Sequence, residues 1–191
     1  MNRAPAVAGS FYPADPTTLS RMMADFLQAT KPDGKAPKAI IAPHAGYIYS
    51  GPIAASAYAR LQQVRDRISR VVLIGPSHRV AFQGLAVSSA DTFTTPLGSI
   101  EIDQDAIASL APLPFVGHLE QAHALEHSLE VHLPFLQHLL SQFKLVPIVA
   151  GDASPQQVAQ VLEILWGGDE TLIVISSDLS HYHDYATARR L

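Results

Sequence analysis

Short, branched apolar runs alternate along the chain with longer stretches of mixed polarity. The runs at 39–43, 71–75, 144–150 and 171–176 have the length and continuity of strands covered on both faces. Gly46 and Gly51 close the first run. Ser50 or Gly51 is then expected to cap a helix with Pro52 in its first turn. That helix would run through Gln63 with Ile53, Ala57, Leu61 and Val64 as its apolar stripe. Residues 85–88 and 92–102, the latter broken at Pro96-Leu97-Gly98, read as strands about a turn that can add antiparallel edges. Asp103 can cap a short helix through Leu110. A proline-rich loop follows, and 122–143 reads as helical, with Pro134 kinking it or opening a fresh helix. Ser154-Pro155 starts a helix to Trp166. The alternation predicts a single α/β domain: a mostly parallel sheet flanked by helices.

Composition narrows the function classes. A length of 191 residues supports one well-buried domain, and 48% hydrophobic with 16% charged residues supplies its core. A formal charge of -4 without a Lys/Arg run argues against nucleic acid. No apolar stretch approaches the ~20 residues of a membrane span. The first residues lack a signal-peptide layout, so the expected location is cytoplasmic. With no cysteine, disulfides, thiolate metal sites and a cysteine nucleophile are all excluded. Residues 185–191 begin a helix just where the chain stops. A helix after a strand usually returns to another strand, so residues 1–191 are expected to be one domain lacking its C-terminal portion.

The chain holds 9 histidines, and three of the strand-like runs end in one: Pro43-His44, Gly75-Pro-Ser-His78, and Ser176-Ser-Asp178-Leu-Ser-His181. Ligand crevices in open α/β sheets lie at the carboxyl ends of strands. Imidazoles and a carboxylate gathered there suit a divalent transition metal. His44 could otherwise be a loop histidine bonded to a carbonyl. Asp178 and His181, three apart, would share a face if a helix began near Asp178, as ligands or as an orienting pair. Asp178 could equally be a plain N-cap. Ser77 beside His78 invites a hydrolase reading, but no G-x-S-x-G elbow is present. In Glu126-His127-Ser-Leu-Glu130-Val-His132 the H-E-x-x-H order is absent. His123 and His127, four apart, could bind a metal alone. His127, with Glu126 beside it, is the candidate acid/base group. Phosphate-loop glycine motifs are missing. The donor set is compatible with Fe(II), zinc or copper.

Six segments taken together resemble the Memo family, the Memo-like component of the AmmeMemoRadiSam system. They are Arg3-Ala-Pro-Ala-Val-Ala-Gly-Ser-Phe-Tyr-Pro13, Pro43-His-Ala-Gly-Tyr-Ile-Tyr-Ser-Gly51, Gly75-Pro-Ser-His78, Thr95-Pro-Leu-Gly98, Glu126-His-Ser-Leu-Glu-Val-His-Leu-Pro-Phe-Leu136 and Ser176-Ser-Asp-Leu-Ser-His181. The resemblance implies a fold like that of the class III extradiol dioxygenases, which cleave catechol-type rings with non-haem iron. It implies that His44, His78, His181 and Asp178 line a metal pocket and that His127 falls at an acid/base position. It also implies links to AMMECR1-type and radical-SAM proteins. Family members continue past this chain's end, and one contributes a C-terminal cysteine to the pocket. The expected function is a metal-dependent, dioxygenase-type oxidoreductase holding Fe(II), with copper or zinc as the other metals. Tyr47, Tyr49 and Glu126 would face a small-molecule or peptide ligand. The alternatives are a non-catalytic metal- or peptide-binding scaffold and, third, a zinc hydrolase.

Overall fold

A computed structural model describes residues 1–32, 34–178 and 180–190; Leu179 of the last histidine segment and Leu191, where the sequence reading expects a helix, lie outside them. In chain order the elements are β1 (Asn2–Arg3), α1 (Pro16–Gln28), β2 (Ala39–Ala42) and α2 (Tyr47–Tyr58), which tightens into a 3-10 turn over Ala59–Val64. Then come β3 (Arg70–Pro76), β4 (Leu85–Val87), β5 (Thr92–Thr95), β6 (Gly98–Glu101), α3 (Gln104–Ala108) and β7 (Val116–His118). The short helices α4 (Glu120–Ala124), α5 (His127–Glu130) and α6 (Leu133–Leu139) lead into β8 (Lys144–Ala150), α7 (Pro155–Leu165), β9 (Thr171–Ser176) and α8 (Tyr185–Ala188).

The described strands form two sheets. The larger runs β2-β9-β3-β8-β4-β7, and every neighbouring pair in it is parallel except β4 against β8. The expected mostly parallel α/β sheet is therefore present. Its central strands β3 and β8 bury Val71, Val72, Leu73, Leu145, Val146 and Ile148 completely, as continuous apolar runs covered on both faces require. The β5–β6 hairpin does not extend this sheet. It pairs through β5 with β1 in a three-stranded sheet of its own, which Ile102 links to Leu145 of β8.

Local chemistry sets the helix boundaries. Asp103 Oδ1 accepts from Ala106 N at 3.0 Å to start α3, and Ser154 with Gln157 forms a capping box on α7. The long helical stretch expected at 122–143 is three helices. Leu125 leaves helical geometry, Glu126 caps α5, and Pro134 sits in the first turn of α6. The helix start expected at Ser50 lies earlier, at Tyr47 after Gly46, and Pro52 falls in the interior. The stripe is also rotated: Ile53 is 64% exposed, while Tyr47, Gly51, Ala54, Ala55 and Tyr58 face inward. Packing against α1 decides this. A Cβ on Gly51 would lie 2.4 Å from a Phe26 ring carbon, so only glycine lets the two helices approach here. Three elements go beyond the sequence expectations, β1, β7 and α1. The last has a capping Asp15 that accepts from Thr18 N at 2.8 Å and a proline at its first position. No helix among the described residues is long and apolar enough to cross a membrane.

One buried carboxylate ties the N-terminal segment down. Glu130 of α5 pairs with Arg3 and accepts from Ala6 N (2.7 Å), Val7 N (3.0 Å) and Tyr12 Oη (2.6 Å). Arg3 in turn donates to the carbonyls of His123 and Glu126. Removing one partner leaves a buried charge uncompensated. Glu130→Ala should lower unfolding free energy by about 3–5 kcal/mol, read from urea titration of Trp166 fluorescence. A loss under about 1 kcal/mol, the worth of an exposed pair, would remove Glu130 from this role.

Two histidines are buried as neutral rings. Burial pulls His132 down to about 3 and His123 down to about 4 from the ordinary 6.5. Both folded values lie below the unfolded one. The stability from these rings is therefore complete above pH 6.5 and drains away as pH falls toward 4 and 3. Each contributes up to about 1.4 kcal/mol per pH unit in that window. Urea midpoints should fall from pH 7 to pH 5, and His132→Asn should flatten the fall. An unchanged slope in that variant would refute the assignment.

Candidate metal centre

Three parallel neighbours, β2, β9 and β3, end at the same edge of the sheet. Ala42 pairs with Ser176 in register, so the residues that follow emerge side by side at the ~4.8 Å strand spacing. His44 comes two residues after β2, Asp178 two after β9, and His78 two after β3. The turn into α5 closes over this edge. It can approach because position 75 is glycine: a Cβ there would meet Leu129 Cδ2 and Ser128 Oγ at 2.9 Å.

His78, His127, His181 and Asp178 line one cleft of about 980 Å³, and the buried His44 ring packs against the three imidazoles. Ring centroids lie 5.1 Å apart for His44 and His78, 5.7 Å for His44 and His127, 6.2 Å for His44 and His181, and 4.4 Å for His78 and His127. One donor atom each from His44, His78 and His181 falls within 4.8 Å of the others. A second cavity of about 730 Å³ at the opposite ends of the strands has no histidine. Its Arg70 and Lys144 are paired with Asp103 and Glu101.

Each ligand candidate is held from behind. The ring Nδ1 of His78 lies 2.8 Å from Glu126 Oε1, and its backbone N donates to Oε2 at 2.6 Å. Glu126 also accepts from His127 N (3.0 Å) and Ser128 N (2.9 Å). Burial alone would raise its carboxyl. The backbone N–H groups of His78 and Ser128, with the His78 ring, outweigh that and hold it below the ordinary range. His44 is 1% exposed. Its backbone N donates to Asp178 Oδ1 at 2.6 Å, and Nδ1 lies 2.6 Å from Ser176 Oγ. Burial pushes the His44 ring down to about 4, with Asp178 opposing that and the neighbouring imidazoles adding to it. His181 is more exposed and sets Nε2 3.1 Å from Asp178 Oδ2.

Nε2 of His44 is the decisive atom for metal fit. It is buried without a hydrogen-bond partner, 3.7 Å from Asp178 Oδ2, and it belongs to the group of three converging histidines. A buried polar atom normally has a partner. A divalent ion beside it would supply one, and the imidazole–carboxylate donor set suits that ion. The second possible group, His78, Glu126 and His127, is less available, because Glu126 is engaged with four N–H groups.

Several sequence expectations are corrected. Tyr47 does not face the cleft: its ring is buried among Tyr12, Phe26 and Phe135, and its hydroxyl donates to Val131 O at 2.6 Å. The early start of α2 turns it inward. Glu126 is likewise buried behind the histidines and does not line the ligand space. Among the described residues no helix begins at Asp178, and the N-cap there is Asp184, from which α8 starts at Tyr185. Ser77 Oγ donates to Val80 O at 2.6 Å, away from His78. His123 cannot pair with His127 on one metal: it lies on a separate helix with Nε2 3.1 Å from Ala86 O. Tyr49 does line the cleft, 77% exposed, with Ile53, Tyr182 and Phe11. Phe11, Ile53 and Tyr182 are unanticipated members, with the Phe11 ring 4.7 Å from that of His127. The only signal for Phe11 was its place in the N-terminal motif. Ser176 was also missed, since a serine ending a strand carries no pattern of its own.

Comparison with known proteins agrees with the segments read above. A family model described as Memo-like protein matches residues 3–190. A MEMO1 family protein of Aquifex aeolicus is 42% identical over 193 residues, covering 98% of this chain and 70% of the relative. One from Archaeoglobus fulgidus is 39% identical, with 99% and 71% covered. A third, from Ignicoccus hospitalis, is 38% identical, with 96% and 70% covered. With that match across nearly its whole length, the chain belongs to the Memo family.

Proposed function

We propose that the cleft binds one divalent metal, Fe(II) in preference to copper or zinc, and acts as a dioxygenase-type oxidoreductase on a small aromatic molecule. The observation that carries the metal reading is the buried, partnerless Nε2 of His44 beside donor atoms of His78 and His181. His44, His78 and His181 would hold the ion, and Asp178 would complete the set or orient it. Two or three imidazoles with a carboxylate and open positions suit non-haem iron, which supplies redox chemistry with oxygen when bound.

The chain's own residues define the rest. Phe11, Pro43, Tyr49, Ile53 and Tyr182 give the cleft a largely apolar lining beside the imidazoles, suited to seat a ring and exclude water. No Lys or Arg is among the described lining residues, which disfavours a phosphorylated or polyanionic substrate. Burial, and then the neighbouring His78, lower the His127 pKa, so its ring is neutral near pH 7. A neutral imidazole on the cleft can take a proton from a hydroxyl of the bound ring. Glu126 keeps both His78 and the start of α5 in place for that exchange.

A scaffold that holds metal or peptide without turnover is the second reading. It is favoured by the apolar rim of α2, where Ile48 and Tyr49 are 79% and 77% exposed, more surface than a small ligand needs.

Protein loaded anaerobically with Fe(II) should retain about one iron per chain and consume oxygen when offered catechols. His44→Ala should weaken retention at least ~10-fold, about 1.4 kcal/mol, and abolish the uptake. Failure to load iron, copper or zinc would end the metal reading. Firm metal retention with no uptake on any catechol would favour the scaffold.

A further inference from the structure

We propose that Ser176 is a positioning residue that locks His44 in the tautomer protonated at Nδ1, leaving the lone pair of the buried Nε2 free beside the donors of His78 and His181. This rests on the reading of the cleft as a metal site. The argument itself is hydrogen-bond arithmetic. Ser176 Oγ carries one hydrogen, and it lies 2.7 Å from Ser128 O, a carbonyl that can only accept. The hydroxyl hydrogen is therefore directed at Ser128. At 2.6 Å from His44 Nδ1, the same oxygen can then only accept, so the ring must donate from Nδ1.

The carbonyl that sets this direction is itself fixed. Ser128 N donates to Glu126 Oε1, and Ser128 Oγ donates to Pro76 O at 2.7 Å. The turn 126–128 thus determines both rings: Glu126 holds Nδ1 of His78 directly, and the Ser128 carbonyl holds Nδ1 of His44 through Ser176. His44 and His78, each two residues past its own strand, are thus both held by Nδ1, with Nε2 left as the other ring nitrogen.

A competing tautomer exists. Asp178 Oδ2 lies 3.7 Å from His44 Nε2, so a hydrogen on Nε2 would be drawn toward that carboxylate and would block the lone pair. Ser176 tips the balance the other way. Without its hydroxyl, Nδ1 has no acceptor, and the ring protonates on Nε2 toward Asp178. Ser176 acts only through His44.

The experiment is long-range 1H–15N NMR of the metal-free protein near neutral pH, combined with metal titration. In the wild type, His44 should show the pattern of a ring protonated at Nδ1. In Ser176→Ala it should move toward protonation at Nε2, and Fe(II) or Zn(II) affinity should drop about 10–100-fold. Wild-type protein with His44 protonated at Nε2 overturns the proposal whether or not the variant folds. A folded variant with wild-type affinity overturns it too. If the wild type shows the Nδ1 form yet binds no metal, the tautomer lock stands and the metal reading fails.

Discussion

The Glu126 carboxylate is the interaction on which the site depends. A charge buried to this degree is tolerated only when its oxygens are saturated with donors, and four N–H groups surround this one. Satisfying it forces two separate pieces into contact: the loop after β3, through the backbone and the imidazole of His78, and the first turn of α5, through His127 and Ser128. The site is a by-product of that satisfaction. Once the turn 126–128 is seated at the end of β3, His127 already stands beside His78, and Ser128 offers its carbonyl to Ser176 on β9. The glycine at position 75 is the steric counterpart, since any larger residue would hold the turn away.

Glu130, one helical turn later, works in the opposite direction. Its oxygens collect donors from the N-terminal segment, and that segment carries Phe11 to the face of His127. Two carboxylates four residues apart on α5 therefore organise the two sides of the cleft. One seats His127 beside His78, and the other hangs Phe11. Neither needs to touch a ligand. Both are sequestered from solvent, so their contribution is architectural.

The parts legible in sequence are those encoded by local pattern. β3, β8 and β9 were readable because a buried parallel strand leaves a continuous apolar run, and their carboxyl ends fixed where His78 and Asp178 must lie. Helix faces were harder. In α2 nearly every residue is apolar or small, so periodicity cannot say which side is buried. The choice is made by Phe26 packing onto Gly51, a contact between residues far apart in sequence. Tyr47 was misplaced for the same reason. Ser176 and the Ser128 carbonyl were invisible because a hydrogen-bond relay between strand and turn has no sequence period. Histidine at a strand end announces itself; the groups that aim it do not.

Orphaned imidazole nitrogens are not by themselves a site, and this chain supplies the controls. Nδ1 of His123, Nδ1 of His127 and Nε2 of His132 are buried without partners, just as Nε2 of His44 is. His123 and His132 are each tied by the other nitrogen, to Ala86 O and to the Tyr58 hydroxyl, and among the described residues no set of metal donors converges on either. They are neutral rings in the interior, giving up one weak acceptor's solvation to fill space. His44 differs in company. Its free nitrogen shares a small volume with donors from two other loops and lies near a carboxylate. Convergence, more than the missing hydrogen bond, separates a ligand from a packed histidine.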